Sequence, residues 1–344
     1  LDAPHTREAS DPRDVREDVD EPRAATPPSR RRQTATWASA LLLTGASIVI
    51  ACRALGIDGV TPLPQLLAFL PWLLAPSLCA LLLATLARNP LLIALALTLT
   101  AANAWYLRPY GTDTTPSTPA LTTLRVLTAN VEFGQATPAL ITAVRREKPD
   151  LVFVPECDYG CARALAKELP TASYPYREVI EAHGPEGSAI LSTHPLRAAA
   201  RIPSTLAMPG ATAVVQGQEI RVQLAHPLPP VPRILGRWRS ELRAIEEYAG
   251  AGSGPTLIAG DFNASQDHAA FRRILDAGSG LRDSAALAGS ARTPTWPTST
   301  TPVLGTQIDH VLVSKHFSVS AVRFLDLAGT DHRAVLADLK LHGG

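Results

Sequence analysis

The chain has 344 residues, with 32 Lys/Arg against 31 Asp/Glu, a formal net charge of +1, and 46% hydrophobic residues. That length holds one large domain and a further element. So small a net charge excludes a global field drawing the chain to nucleic acid, and 4 cysteines are too few for a disulfide framework. Arginine far outnumbers lysine, and Ala and Pro are abundant, as in GC-rich bacterial coding. The chain begins with Leu1 and its only methionine is Met208; it reads as a non-standard start or a fragment.

Residues 1–32 mix acids, Arg and Pro with few large apolar residues. They cannot build a core and read as a disordered tail. Three charge-free runs follow, at 33–52, 59–87 and 89–107, each near the length that crosses a bilayer. A cleaved signal peptide at the first run is the weaker reading, because two more spans follow it. Pro64, Pro71 and Pro76 interrupt the second run, which reads as one kinked span in preference to a broken or re-entrant segment. Trp105 and Tyr106 close the third as interfacial anchors. The positive-inside rule puts Arg30, Arg31, Arg32 and Arg88 in the cytoplasm, with Arg53 opposing it weakly. Everything after Leu107 then lies outside. Residues 108–123, rich in Thr, Pro and Ser, read as an extracytoplasmic linker.

From 124 to 344 the pattern becomes α/β. Strands are expected at 124–128, 151–154, 188–191, 219–225, 256–259, 308–313 and 334–341. Helices are expected at 138–147, ended by Lys148-Pro149, and at 238–249. No internal repeat is present. From Gly111 onward 22 acidic and 22 basic residues balance, which argues mildly against DNA or RNA as substrate. Arg233, Arg237 and Arg239 could form a local basic patch, but read first as a solvated helix start. Cys52 and Cys79 sit in apolar runs as packing residues. Cys157 and Cys161 read as two ordinary thiols, with a disulfide in an oxidising compartment as the alternative.

Short polar motifs follow the apolar runs: Thr128-Ala129-Asn130-Val131, Pro155-Glu156, His226-Pro227, Gly260-Asp261-Phe262-Asn263, Ile308-Asp309-His310 and Thr330-Asp331-His332-Arg333. Carboxylates, amides and imidazoles gathered at strand ends can hold a hard cation and hydrolyse a phosphate ester. Glu156 is placed to bind Mg²⁺ or Mn²⁺, with Asn130 beside it. Glu132 is the less secure acid of that group. Asp261 could orient or deprotonate water, and Asn263 could donate to a phosphoryl oxygen. Gly260 reads as the residue that allows a tight turn there. Asp309 invites pairing with His332, fixing its tautomer and raising its basicity. His226 would be a second imidazole facing phosphate.

The ordered set resembles the endonuclease/exonuclease/phosphatase (DNase I-like) superfamily over about residues 124–341, most specifically in Gly-Asp-Phe-Asn, Ile-Asp-His and Asp331-His332. Gly187-Ser188-Ala189-Ile190-Leu191-Ser192 resembles a strand of the family. The resemblance implies a four-layered α/β sandwich preceded by three transmembrane helices. It implies metal ligands Glu156, Asn130, Glu132 and Asp331, and catalytic residues His226, Asp261, Asn263, Asp309 and His332, with Mg²⁺ or Mn²⁺ as cofactor. Thr330, Ala334 and Pro155 stand where the family often has Ser, Pro and Gln. Within the superfamily, three spans, the composition and the run His226-Pro227-Leu228-Pro229-Pro230 resemble actinobacterial teicoplanin-resistance (VanJ-type) membrane proteins.

The expectation is therefore a multi-pass, extracytoplasmic phosphohydrolase acting on lipid-linked polyprenyl pyrophosphate of cell-wall synthesis. A tethered site would meet such lipids at high effective concentration. The alternatives are a surface-anchored nuclease or other phosphodiesterase, and an inactive binding domain of the cell envelope.

Overall fold

The computed structural model describes residues 29–111, 116, 118–278, 280–300 and 304–343. The tail read up to residue 28 and part of the linker, 112–115 and 117, lie outside the described residues. Four α-helices come first: α1 (Arg30–Leu55), α2 (Leu63–Ala68), α3 (Leu74–Ala87) and α4 (Pro90–Tyr106). A short 3-10 turn, Leu70–Leu73, joins α2 to α3. Two helical stretches, Arg30–Leu55 and Leu70–Ala87, are long and apolar enough to cross a membrane, and Pro90–Tyr106 is shorter.

α1, α3 and α4 pack around small side chains. Ala46, Ala80, Ala84 and Ala96 are buried, and the Ser39 hydroxyl donates to the Ala80 carbonyl at 2.8 Å. Small residues let apolar helices approach closely. Large ones point outward: Leu82 and Leu86 are 61% exposed and Leu91 is 80% exposed. An exposed apolar belt of this kind marks an interaction surface.

The second run is broken, contrary to the single kinked span expected. Pro64 and Pro71 cannot donate to a helical ladder, and α2 ends at Phe69. The half before Leu70 does not continue the apolar helix; it lies against the α/β domain.

That domain has twelve strands in two six-stranded sheets. The first sheet contains β1 (Ala120–Thr128), β2 (Leu151–Pro155), β3 (Tyr176–Ile180), β4 (Ser188–Ser192), β11 (Phe317–Asp326) and β12 (Arg333–His342), in the order β11-β12-β1-β2-β4-β3. The second contains β5 (Leu196–Ile202), β6 (Met208–Val215), β7 (Gln218–Ala225), β8 (Thr256–Asp261), β9 (Leu281–Asp283) and β10 (Asp309–Ser314), in the order β5-β6-β7-β8-β10-β9. Leu124, Val126, Phe153, Val222, Leu257 and Val311 form part of the core between the sheets. Outside the first sheet lie α5 (Thr137–Glu147) and α6 (Tyr159–Glu168). Outside the second lie α7 (Leu235–Gly250) and α8 (Ala269–Asp276). A one-turn helix, α9 (Ser284–Leu287), precedes β10. The four layers match the expected sandwich.

β1 with β2, and β7 with β8, are the parallel pairs. Their C-terminal ends share one edge with the start of β10 and the turn before β12. The polar motifs therefore meet there. Gly260 is not in a turn. It lies within β8, where a Cβ would come within 2.0 Å of the Ala225 carbonyl, so glycine is needed for the close approach of β7.

Anchor and domain meet through buried charge. Arg53, in the last turn of α1, lies 3.1 Å from Asp267 Oδ1. Arg292 grips the same carboxylate at 2.6 and 2.9 Å, and donates to the backbone carbonyls of Tyr106 and Leu107. Asp267 is 1% exposed. The His268 imidazole meets the Pro64 carbonyl at 2.8 Å, and Asp58 accepts from the Ala270 amide at 2.7 Å. Arg53 therefore has a structural partner in the α/β domain. Arg239 faces Asp58 at 3.6 Å, so one arginine of the suspected basic patch serves this contact.

Removing one partner of a buried ion pair costs about 3–5 kcal/mol, because the remaining charge is left unpaired. Asp267→Ala should show that loss in thermal unfolding of the detergent-solubilised protein, with faster tryptic cleavage after Arg108. Asp338→Ala, whose pair with Arg125 is partly exposed, should cost less than about 1 kcal/mol.

Candidate active site

Asn130 follows β1 and bridges two acids. Its Nδ2 donates to Glu156 Oε1 and Asp261 Oδ2, each at 3.1 Å. Its Oδ1 accepts from the Glu132 amide at 3.0 Å. With its oxygen engaged there, Asn130 holds the two carboxylates together across the sheets.

Glu156 directly follows β2 with φ 59°, in the left-handed region. Glu132 and Asn263 share that conformation, at φ 43° and 47°. Such backbone costs of order 1–3 kcal/mol per residue and persists where surrounding structure over-determines it. At Glu156 that structure is visible. The Phe133 amide donates to its Oε2 at 3.1 Å, and Cys157, the next residue, is disulfide-bonded to Cys161 at the start of α6. This corrects the reading of two thiols. The N-cap Asp158, whose side chain accepts from the Cys161 amide, opens a helical turn that brings the two sulfurs together.

Burial works to raise the Glu156 carboxyl, but His226, Asn130 and the Phe133 amide outweigh it and hold it below the ordinary range. His226 Nε2 lies 3.6 Å from Glu156 Oε1, and its Nδ1 is buried without a partner.

Asp261 ends β8. Its Oδ1 accepts from the Asn263 amide at 2.8 Å. Asn263 Nδ2 donates to the Pro227 carbonyl at 3.0 Å. Burial and the nearby Asp309 push Asp261 up to about 6, against the pull of His332 and His226. Asp309 receives His332 Nδ1 at 2.9 Å, as its pairing implied. Its own backbone amide is held by Thr295 Oγ1. Burial would lower His332, but Asp309, Asp261 and Asp331 raise it to about 10. The imidazole is therefore charged at neutral pH and acts as a donor.

The Asp331 side chain is 47% exposed. Its Oδ2 accepts from Trp296 Nε1 at 2.8 Å, and its amide donates to Glu132 Oε2 at 2.9 Å. All nine predicted site residues thus meet at one sheet edge. Sequence reasoning missed two positioning residues. Thr330 ties the turn together, bonding the Asn130 carbonyl and the His332 amide; its place beside Asp331-His332 was the signal. Trp296 lies in a loop and gave none. His310, from the Ile-Asp-His motif, is elsewhere, between Asp283 and the Ala264 carbonyl.

The open cavity here, about 320 Å³, is bordered by Glu132, Glu156, His226, Asp261, Asp331 and His332. Four acids around one cavity suit a hard cation. The ligand atoms of Asp261, Asp309 and His332 lie within 4.8 Å of one another; with the imidazole protonated, the two carboxylates are the groups there that could hold a metal ion. Asp309 Oδ1 is buried without a partner, as a carboxylate oxygen awaiting a cation or a bound donor would be.

Among solved structures, the fold is similar to a humanized TDP2 from D. rerio, with TM-score 0.53 and 15% identity over 63% of this chain and 98% of that one. It is also similar to an endonuclease/exonuclease/phosphatase from Beutenbergia cavernae, with TM-score 0.51 and 20% identity over 64% and 72% of the two chains. A Leptotrichia buccalis protein of the same description has TM-score 0.50 and 16% identity over 63% and 99%. At such identities the likeness shows the fold alone. No curated protein matches the sequence. The model of the endonuclease/exonuclease/phosphatase family matches residues 127–332, which is more than half of the sequence and contains every predicted site residue. The chain belongs to that family.

Proposed function

We propose that the protein is a membrane-anchored, extracytoplasmic, divalent-metal-dependent phosphohydrolase. Its substrate is the lipid-linked polyprenyl pyrophosphate of cell-wall synthesis, a role through which it would bear on teicoplanin resistance. Members of the family are generally hydrolases acting on phosphate esters, and typically depend on divalent metal. The observation that carries the reading is the site's fixed place. Asp267, gripped by Arg53 of α1 and Arg292, seats the catalytic domain on the helix ends. The Cys157–Cys161 disulfide supports the orientation, since such bonds persist outside the cytosol. In this reading Pro90–Tyr106 is the third span, the N-terminus lies inside and the domain outside.

In this reading Glu156 holds the metal, Glu132 and Asp331 flank it, and Asn130 positions Glu156. Mg²⁺ or Mn²⁺ would neutralise phosphate charge and polarise the phosphorus–oxygen bond. Asp261 takes a proton from the attacking water. Its value near 6 suits a base at neutral pH. Asn263 and His226 donate to phosphoryl oxygens, and His332, charged and oriented by Asp309, protonates the leaving oxygen.

Purified protein should release phosphate from undecaprenyl pyrophosphate with Mg²⁺ and stop with EDTA. Cleavage of nucleic acid alone, run in parallel, would replace this reading with the nuclease one. Glu156→Gln and His332→Asn should each lower kcat by about 10²–10⁴ while far-UV circular dichroism stays native.

Activity should rise with pH through about 6 as Asp261 loses its proton, and fall toward about 10 as His332 loses its own. Stability carries the opposite sign at Asp261. A carboxyl raised above its ordinary 3.8 in the folded state destabilises that state as pH climbs through this window. Metal-free Asp261→Asn should therefore melt higher than wild type at pH 7, the gap closing at about pH 4 and below, and should be inactive.

A further inference from the structure

Beside the catalytic cavity lies a second one of about 340 Å³, at the lower end of ordinary ligand pockets. The two share Pro229, Asn263 and His332, so they adjoin across these side chains. Their linings differ. The first is ringed by acids; the second has no acid and exposes mainly apolar surface, with Gln65, His268 and Thr306 among its polar edges. One of its walls is the broken segment of the anchor, Ala68 and Phe69. The facing wall is Pro229, Pro230 and Val231 of the domain, with Trp296 near the inner end.

Gln65 clamps the two walls by donating to the Pro230 carbonyl. Trp296 turns its ring to the apolar cavity and its N–H to Asp331, an arrangement that suits a residue at a boundary between apolar and polar ligand parts. Leu66 on α2 is 41% exposed, Trp72 just after it 37%, and Val231 opposite 43%. The apolar surface thus continues from the slot onto the side of the anchor.

The geometry points to this slot as the subsite for the hydrocarbon chain next to phosphorus, a single chain rising from the bilayer between anchor and domain. It rests on the lipid-phosphate reading of the catalytic site and adds how that lipid is recognised. The chain lies against Ala68, Phe69 and Val231, which sets the phosphate before His332 and Asn263. Part of the binding site is therefore built by the anchor itself. A headless catalytic domain would keep its chemistry and lose its selectivity for lipid.

The test uses the full-length protein and a series of isopentenyl, geranyl and farnesyl pyrophosphates. In wild type, kcat/KM should climb with chain length. Ala68→Trp, which fills the slot, and Val231→Asp, at an exposed position, should each raise KM for farnesyl pyrophosphate on the order of tenfold. The kcat for that substrate, and both constants for isopentenyl pyrophosphate, should stay unchanged. Equal losses on short and long substrates, or none on either, would overturn the subsite.

A farnesyl phosphate bearing a diazirine on its chain gives a readout independent of turnover. Photolabelling should fall on Phe69 and Val231 and disappear in Ala68→Trp. Turnover of lipid pyrophosphate with label elsewhere overturns the slot and leaves the functional reading standing. Label in the slot without turnover overturns that reading and supports the slot.

Discussion

A buried carboxylate joins the two halves of this molecule. Asp267 is held between Arg53 from the first anchor helix and Arg292 from the catalytic domain. A buried ion pair is weak evidence for net stability, since desolvation offsets much of the attraction. Its worth here is register. Arg292 also binds the carbonyls that end α4, and Arg53 stacks 4.8 Å from the Tyr106 ring. Two helix ends, those of α1 and α4, are thus fixed against one domain surface. Everything proposed about the site depends on that fixation, because it decides what the catalytic cavity opens beside.

The catalytic edge is the opposite kind of construction. It gathers acids that repel one another and sets Glu132, Phe133, Glu156 and Asn263 in left-handed backbone. The surrounding sandwich supplies what makes this tolerable: Asn130 between two carboxylates, the disulfide and the Phe133 amide around Glu156, Thr330 and Thr295 holding the turns. The same burial that destabilises Asp261 brings its proton affinity near neutrality. N-terminal helices and edge meet in the apolar slot, where the break between α2 and the turn at Leu70–Leu73 makes Ala68 and Phe69 a wall.

Legibility in the sequence followed burial. The strands seen were central ones, such as β2 and β8, whose side chains are buried throughout. All four edge strands, β3, β5, β9 and β11, escaped. β5 is exposed along almost its whole length, so neither an apolar run nor an alternation marks it. β6, though central, is rich in Ala and Gly (Met208–Val215) and carries little apolar signal. The site was readable because each motif stands directly after or before a buried strand. The docking set was not, because Arg53, Asp267 and Arg292 are far apart in sequence and each alone looks like a surface charge. Trp296 was invisible for the same reason.

We propose that a metal-binding site stands at the surface of the bilayer. Mn²⁺ bound to the intact protein in lipid nanodiscs tests it through the phosphorus relaxation of the surrounding headgroups. The account predicts strong paramagnetic broadening of those resonances in wild type, largely lost in Glu156→Gln. Equal broadening in both proteins, or none in a wild type shown to hold Mn²⁺, would contradict it.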